Sequence, residues 1–380
     1  MQERKTAPKP NARTGSITTV DDRISPLDLY VYLNARFGRP NGIQMLFKSP
    51  SSDNFIHWHY TFLAGKSQVE VMAMTTRLEI HVSDDPNVTQ EQWDRLIQAI
   101  KADMGNFGRQ ASQVRKRLEK WTLFVNPYCR LRRVGEAWRE RLQQLADTGL
   151  PLPPEPEPLP GLQIPGETSK SRMARHEDEF KASAAAYTEA LHLGVGLRLV
   201  SPVIAEAFVN LLIFLTGKDD IKNDARLYDS VIRQPIDVRV KALHLHCRGF
   251  AEPVRDSDEQ FKRFHSLMNS RNDTVHGNVD PKRLAFGTVF FEDTTPLPPS
   301  CEKLSENVLK NSLKHVEPET ALDDFRTVCD FIDFLMTKLE EPLRPQVEMV
   351  SATRDLGWRE DTKRVGVLFA NWVAEGYMGW

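Results

Sequence analysis

Arg271-Asn272-Asp273-Thr274-Val275-His276-Gly277 closes an apolar helical segment, and its reading decides how the second half of the chain is understood. Phe261, Phe264, Leu267 and Met268 precede it at helical spacing, which predicts a helix over roughly 257–276. Gly277 just past the last periodic residue, with Pro281 soon after, is a termination signal. His276 then falls in the last turn, where the negative end of the helix dipole favours an imidazolium. Asp273, one turn earlier, pushes the same way, so a raised pKa is expected for His276. A fixed cation (Arg271), a group titrating near neutrality (His276) and a short polar partner (Asn272) are the parts of a metal-free phosphodiester-cleaving site. The spacing alone is not selective, because Arg239 and His244 repeat it. Arg239 is followed by apolar Val240 and no helix stop follows His244, so that pair is set aside.

Working outward, 380 residues at about 150 per domain imply two or three units. A hydrophobic share of 40% suffices for real cores, and a net charge of −2 carries no global nucleic-acid signature, so a polyanion site must be local. Cys129, Cys247, Cys301 and Cys329 are scattered without a CxxC pair, which predicts reduced thiols and an intracellular protein. MQERKTAPKPNARTGS lacks the apolar core of a signal peptide. The most apolar run, Val203 to Leu215, carries Glu206 and Asn210 and is too short to span a bilayer. A soluble, cytoplasmic protein with no membrane partner is expected.

Five segments follow. Residues 1–25 are polar and expected to be disordered. Residues 26–150 read as an α+β domain, a small antiparallel sheet with helices. Its first helix is LDLYVYLNARF, and its strand candidates are GIQMLFKS, FIHWHYTFLAG and SQVEVMAMTTRLEIHV. Thr89 with Gln92 resembles a capping box opening QEQWDRLIQAIKADM. Residues 101–141 hold eleven Lys and Arg against four Asp and Glu. Seven of the 24 prolines fall in 151–165, making 151–168 a semi-extended linker and the expected domain boundary. Beyond it, helices are predicted over roughly 170–192, 202–216, 257–276 and 319–340, each with an apolar face, the second stopped by Gly217. Four such helices over 169–342 predict an all-α four-helix bundle, with 278–318 as a long insertion. The aromatic-rich tail 343–380 is left unplaced between the two domains.

Residues 169–342 resemble the HEPN family, a helical bundle whose signature is Arg, a polar residue, a few more residues and a His at the end of the third helix. The string RNDTVHG fits that signature in spacing and flanks. The resemblance implies a metal-independent endoribonuclease without a cofactor, whose catalytic residues come from two paired domains. Carried over by motif position, these are Arg271, His276 and, in support, Asn272. On a helix Arg271 and His276 stand about 140° apart, so one helix makes a poor site. Two such ends facing across a two-fold axis would gather two Arg and two His around an RNA substrate, which predicts a homodimer. Glu206 and Asn210, four apart on an otherwise apolar helix, could orient Arg271 from a neighbouring element, or Glu206 could form an ordinary ion pair inside the bundle.

The rival reading has Arg271 locking the bundle through a carboxylate and His276 capping its own helix, as in a non-catalytic dimerising adaptor. A third is a sensor that binds a nucleotide in the same cationic cleft. The composite layout resembles proteins of microbial conflict, with an N-terminal domain that recognises a trigger, substrate or partner. His57 with His59, and His244 and His246 with Cys247, lack a second ligand pair at zinc-site spacing, so no metal is expected. The basic 101–141 stretch could track RNA phosphates or simply present solvated helix faces.

Overall fold

Apolar side chains gather into two cores, and the chain divides accordingly. The computed structural model describes residues 15–20, 23–42, 56–64, 67–74, 77–83, 89–152, 169–275, 281–285, 287–299, 304–314, 316–369 and 371. One unit comprises 1–122, 358–364 and 368–380, and the other 123–357 with 365–367.

In the first unit, strands β1 (Gly15–Val20), β2 (Ile56–Ala64), β3 (Ser67–Met74) and β4 (Leu78–Ser83) form an antiparallel sheet in the order β1-β4-β3-β2. Alternation sets its faces. Trp58, Tyr60 and Phe62 of β2, with Val71, Ala73, Leu78 and Ile80, turn to α1 (Pro26–Phe37) and α2 (Gln90–Met104). Leu29, Tyr32 and Leu33 of α1 and Trp93 and Ile97 of α2 complete this core. A short turn leads on to α3 (Gly108–Lys116). Ser25 caps α1 by accepting from the Asp28 N–H at 3.0 Å, and Pro26 sits in the first turn. Thr89 and Gln92 form the reciprocal capping box that the sequence predicts. Two expectations change here. Gly15–Val20, assigned to a disordered N-terminus, is a strand, because its backbone completes the ladder of β4. The long third strand candidate is two strands, β3 and β4, and GIQMLFKS lies outside the described residues.

The second unit is mostly helical. After β5 (Thr122–Val125) come α4 (Pro127–Thr148), α5 (Ser169–Thr216), α6 (Asp219–Asn223), α7 (Ala225–Ile232), α8 (Ile236–Lys241), α9 (Leu243–His246) and α10 (Glu259–Val275). Then follow α11 (Pro281–Leu284), the hairpin β6 (Phe290–Glu292) and β7 (Thr295–Leu297), α12 (Leu304–Leu313), α13 (Pro318–Thr337), α14 (Arg344–Ser351), β8 (Asp355–Arg359) and β9 (Arg364–Gly366). The helices α4, α10, α12 and α13 all pack on α5.

The two helices expected at 170–192 and 202–216 are one continuous helix of 48 residues, about 72 Å at 1.5 Å per residue. Gly194, Gly196 and Pro202 do not break it. The glycines serve approach instead: a Cβ on Gly194 would meet Val316 at 3.0 Å, and one on Gly196 would meet the Trp138 ring at 2.8 Å. Pro202 forgoes one ladder bond at a point where buried Ser201 donates to the Leu197 carbonyl at 2.6 Å. By length and composition Met173–Thr216 could cross a membrane, alone among the described helices, and more than half of its apolar window is covered by the rest of the unit.

The boundary expected in the proline-rich stretch stands earlier, between Thr122 and Leu123. Helix α4 explains the shift, since Tyr128 and Leu142 are buried in the same core as Ile204, Phe208, Phe325 and Phe331. Residues 153–168 lie outside the described residues. The expected insertion at 278–318 contains α11, the β6–β7 hairpin and α12. The tail is divided: Val347 and Val350 of α14, with Leu356, belong to the helical core, while 358–364 fall to the first unit, and 372–380 lie outside the described residues.

Asn126 fixes where α14 ends. Fully buried, it caps α4 by accepting from the Cys129 N–H at 3.3 Å, and its amide donates to the carbonyls of Val350 at 3.1 Å and Thr353 at 2.9 Å. Asn126→Ala strands these groups and is expected to destabilise the protein by about 2–4 kcal/mol, read from the urea unfolding midpoint. Gly135 makes a second test, because a Cβ there would meet Phe325 at 2.7 Å and Ile204 at 2.8 Å. Gly135→Ala should lower stability by about 1–3 kcal/mol despite its better helix propensity.

Candidate functional site

Helix α10 delivers Arg271 to the interior by periodicity. Phe264, Leu267 and Met268 are buried on one stripe, and Arg271 follows Phe264 by seven residues on the same face. The register of α10 is fixed at several points against α13. Phe264 stacks on Phe331 with ring centroids 4.0 Å apart. Arg263 donates to Thr327 Oγ1 at 3.0 Å and lies 3.5 Å from Asp330. From α5, Arg198 donates to Asp324 at 2.8 Å and to Ser270 Oγ at 3.0 Å, which clips α10 and α13 to the central helix beside the motif. Burial pushes the Asp324 carboxyl up, and Arg198 opposes that shift.

Arg271 meets Glu206 of α5, with Nη2 3.4 Å from Oε1. Asn210, one turn along, does not reach Arg271. Its Oδ1 accepts from Arg239 Nη1 at 2.5 Å, and Arg239 Nη2 lies 4.0 Å from the same Glu206 Oε1. The residue set aside in the sequence therefore belongs to the site. Helix α8 places it there: Ile236 and Val240 are buried on one face of α8, and Arg239 shares that face. The Arg239 side chain is only 8% exposed, against 22% for Arg271 and 30% for Glu206. Burial pulls the Arg239 guanidinium below the usual arginine range, and Glu206 pulls it back. Two guanidiniums thus share one carboxylate, and the Nε–H groups of both are buried with no hydrogen-bond acceptor among the described residues. The signal that could have found Arg239 is a cation on an apolar stripe, matched by a lone carboxylate on the apolar face of another helix.

The remaining motif residues are placed less fully. Asn272 and Asp273 lie in the last turn of α10, but their side chains, like all of His276, fall outside the described residues. The expectation of a raised His276 pKa falls there too.

Other sequence signals resolve into local structure. His59 is buried on the sheet face away from the first core, and burial holds the His57 pKa below its ordinary value. His244 Nδ1 lies 2.8 Å from the Lys241 carbonyl. The His246 pKa is lowered, chiefly by burial and then by Lys218 and His244, while burial raises the Cys247 thiol. Among the described residues, His, Cys, Asp and Glu gather nowhere in threes suited to a metal ion. In the basic stretch, Arg115 pairs with Asp28, Arg141 with Glu189 at 2.6 Å, and Arg132 with Glu136 at 2.8 Å. A separate cleft of about 510 Å³ in the helical unit is lined by Cys129, Arg132, Asp333 and Arg344 among others, and excludes the Glu206 cluster. Its arginines are engaged: Arg132 also donates to the Tyr128 hydroxyl at 3.0 Å, and Arg344 to the Met336 carbonyl at 3.0 Å.

Sharing sets an order of losses. Glu206→Ala strands a nearly buried guanidinium and should destabilise the protein by about 1–3 kcal/mol, whereas Arg271→Ala leaves the Arg239 pairing in place and should cost under about 1 kcal/mol. Thermal midpoints of the two variants check the order; equal losses contradict it. No protein-family model, curated protein or solved structure matches this chain.

Proposed function

We propose that the protein is a metal-independent endoribonuclease whose second unit works as a HEPN-like four-helix bundle, with the active site completed by a second copy of the chain. The observation that carries this reading is Arg271 itself. It sits in the last turns of α10, held over Glu206 by Nη2, with an Nε–H that has no acceptor among the described residues. A guanidinium oriented by a carboxylate and still partly exposed suits the extra charge of a phosphorane, which its Nη groups can meet.

In the proposed reaction the RNA 2′-OH attacks its neighbouring phosphate. The His276 imidazole of one protomer takes the hydroxyl proton, and that of its partner protonates the leaving 5′-oxygen. The Arg271 pair steadies the developing charge, and Asn272 supports the imidazole. The products are a 2′,3′-cyclic phosphate and a 5′-hydroxyl, and DNA, lacking the 2′-OH, is not cut. By this reading the protein acts in the cytoplasm, and the first unit recognises a trigger, substrate or partner. A role in anti-phage defence or toxin-like growth control follows by analogy of layout alone. One observation favours the non-catalytic adaptor: the Arg239–Glu206–Arg271 network is also what an interhelical lock would use.

Incubation of the purified protein with total RNA separates the two. Cleavage should persist in EDTA and fall by roughly 10²–10⁴-fold in His276→Ala and 10²–10³-fold in Arg271→Ala. Full activity in His276→Ala, or its abolition by chelator, contradicts the mechanism, and RNA left intact by the wild type favours the adaptor.

A further inference from the structure

We infer that Arg239 is a positioning residue that takes up Glu206 when a phosphodiester draws Arg271 away from it; this rests on the reading of Arg271 as the phosphate-binding cation. Arg271 holds the carboxylate by a hydrogen bond at 3.4 Å, and the Arg239 guanidinium stands beside the same oxygen at 4.0 Å. The two arginines differ in access. Arg271 is the more exposed and stands at the motif end of α10, whereas Arg239 is more than nine-tenths buried and pinned by Asn210 at 2.5 Å. An arriving oxyanion therefore meets Arg271, and Glu206 competes with it for the same guanidinium. Were Arg271 its only partner, moving to phosphate would leave an unpaired carboxylate beside a second negative charge. Arg239 removes that obstacle, since its Nη2 already faces Oε1 and its buried Nε–H has no other acceptor among the described residues. Among the described residues, two cations around one carboxylate leave one positive charge in excess, which a phosphodiester monoanion balances.

Rescue separates positioning from direct contact. The probe is a fluorescein-labelled single-stranded 2′-O-methyl RNA oligonucleotide, which lacks the attacking hydroxyl, and binding to the full chain is read by fluorescence anisotropy at fixed salt. Arg239→Gln should weaken binding by roughly five- to tenfold, because Glu206 then holds Arg271 alone, and Glu206→Gln in the same chain should restore it. Arg239→Lys keeps the charge and should bind close to wild type. Binding unchanged in Arg239→Gln, or equally weak in the double variant, overturns the inference. Should Arg239→Gln not fold, Glu206→Gln alone decides: removal of the competing carboxylate must tighten binding, and unchanged or weaker binding refutes the role. RNA that is never cleaved while the rescue pattern holds would defeat the nuclease reading and leave the exchange standing. Cleavage with Arg239→Gln binding as wild type would do the reverse.

Discussion

An arginine cannot shed its charge inside a protein, and that constraint governs how the helical unit is assembled around Arg239. The residue lies on the buried stripe of α8, so its guanidinium is drawn from water by the apolar neighbours that make α8 fold onto the core. A carboxylate must come from elsewhere, and α5 supplies it on an otherwise apolar face as Glu206, with Asn210 one turn on. The same carboxylate reaches Arg271 of α10. One acidic side chain thus ties together three elements far apart in sequence, adding a directional contact that apolar packing alone does not supply.

Helix α5 can play this part because it runs unbroken. A 48-residue helix presents Arg198, Glu206 and Asn210 on one rigid rod, so distances among their partners are inherited from helical geometry. Its neighbours come close where side chains vanish: α4 closes on it through Gly135, and Gly196 admits the Trp138 ring. Polar clips then choose among the many slides that an apolar seam allows. Arg198 reaches both α10 and α13, and Asn126 holds the end of α14 against the start of α4.

Elements whose signals are local were legible in the sequence. The capping box at Thr89, the helix LDLYVYLNARF, the apolar stripes of α10 and α13 and the stop at Gly217 all depend on residues within a few positions of one another. The misreadings share the opposite character. Gly194 and Gly196 look like breakers until Val316 and Trp138 are known to press against the helix there, and Pro202 lies inside the same unbroken helix. Gly15–Val20 is polar enough to pass for a free terminus, and only pairing with β4 makes it a strand. The proline-rich run is a true compositional break, yet α4 before it shares the core of the helices after it. At the site, Arg271 and Glu206 were both legible, whereas Arg239 was discarded on its flanking residues, a local criterion applied to a long-range contact.

The arithmetic of charge and donors bears on whether this cluster is a lock or a site. A network retained for stability alone would match its charges and use its donors, since each unmet buried N–H costs about 1–3 kcal/mol and each surplus charge more. Here two cations face one carboxylate, and one donor on each guanidinium finds no acceptor among the described residues. Local rules broken together at one place, within a unit that satisfies them at Asn126 and Arg198, are what the proposed function would account for and an interhelical lock alone would not. On the proposed nuclease reading, a phosphodiester brings both the negative charge and the acceptor that Arg271 lacks among the described residues.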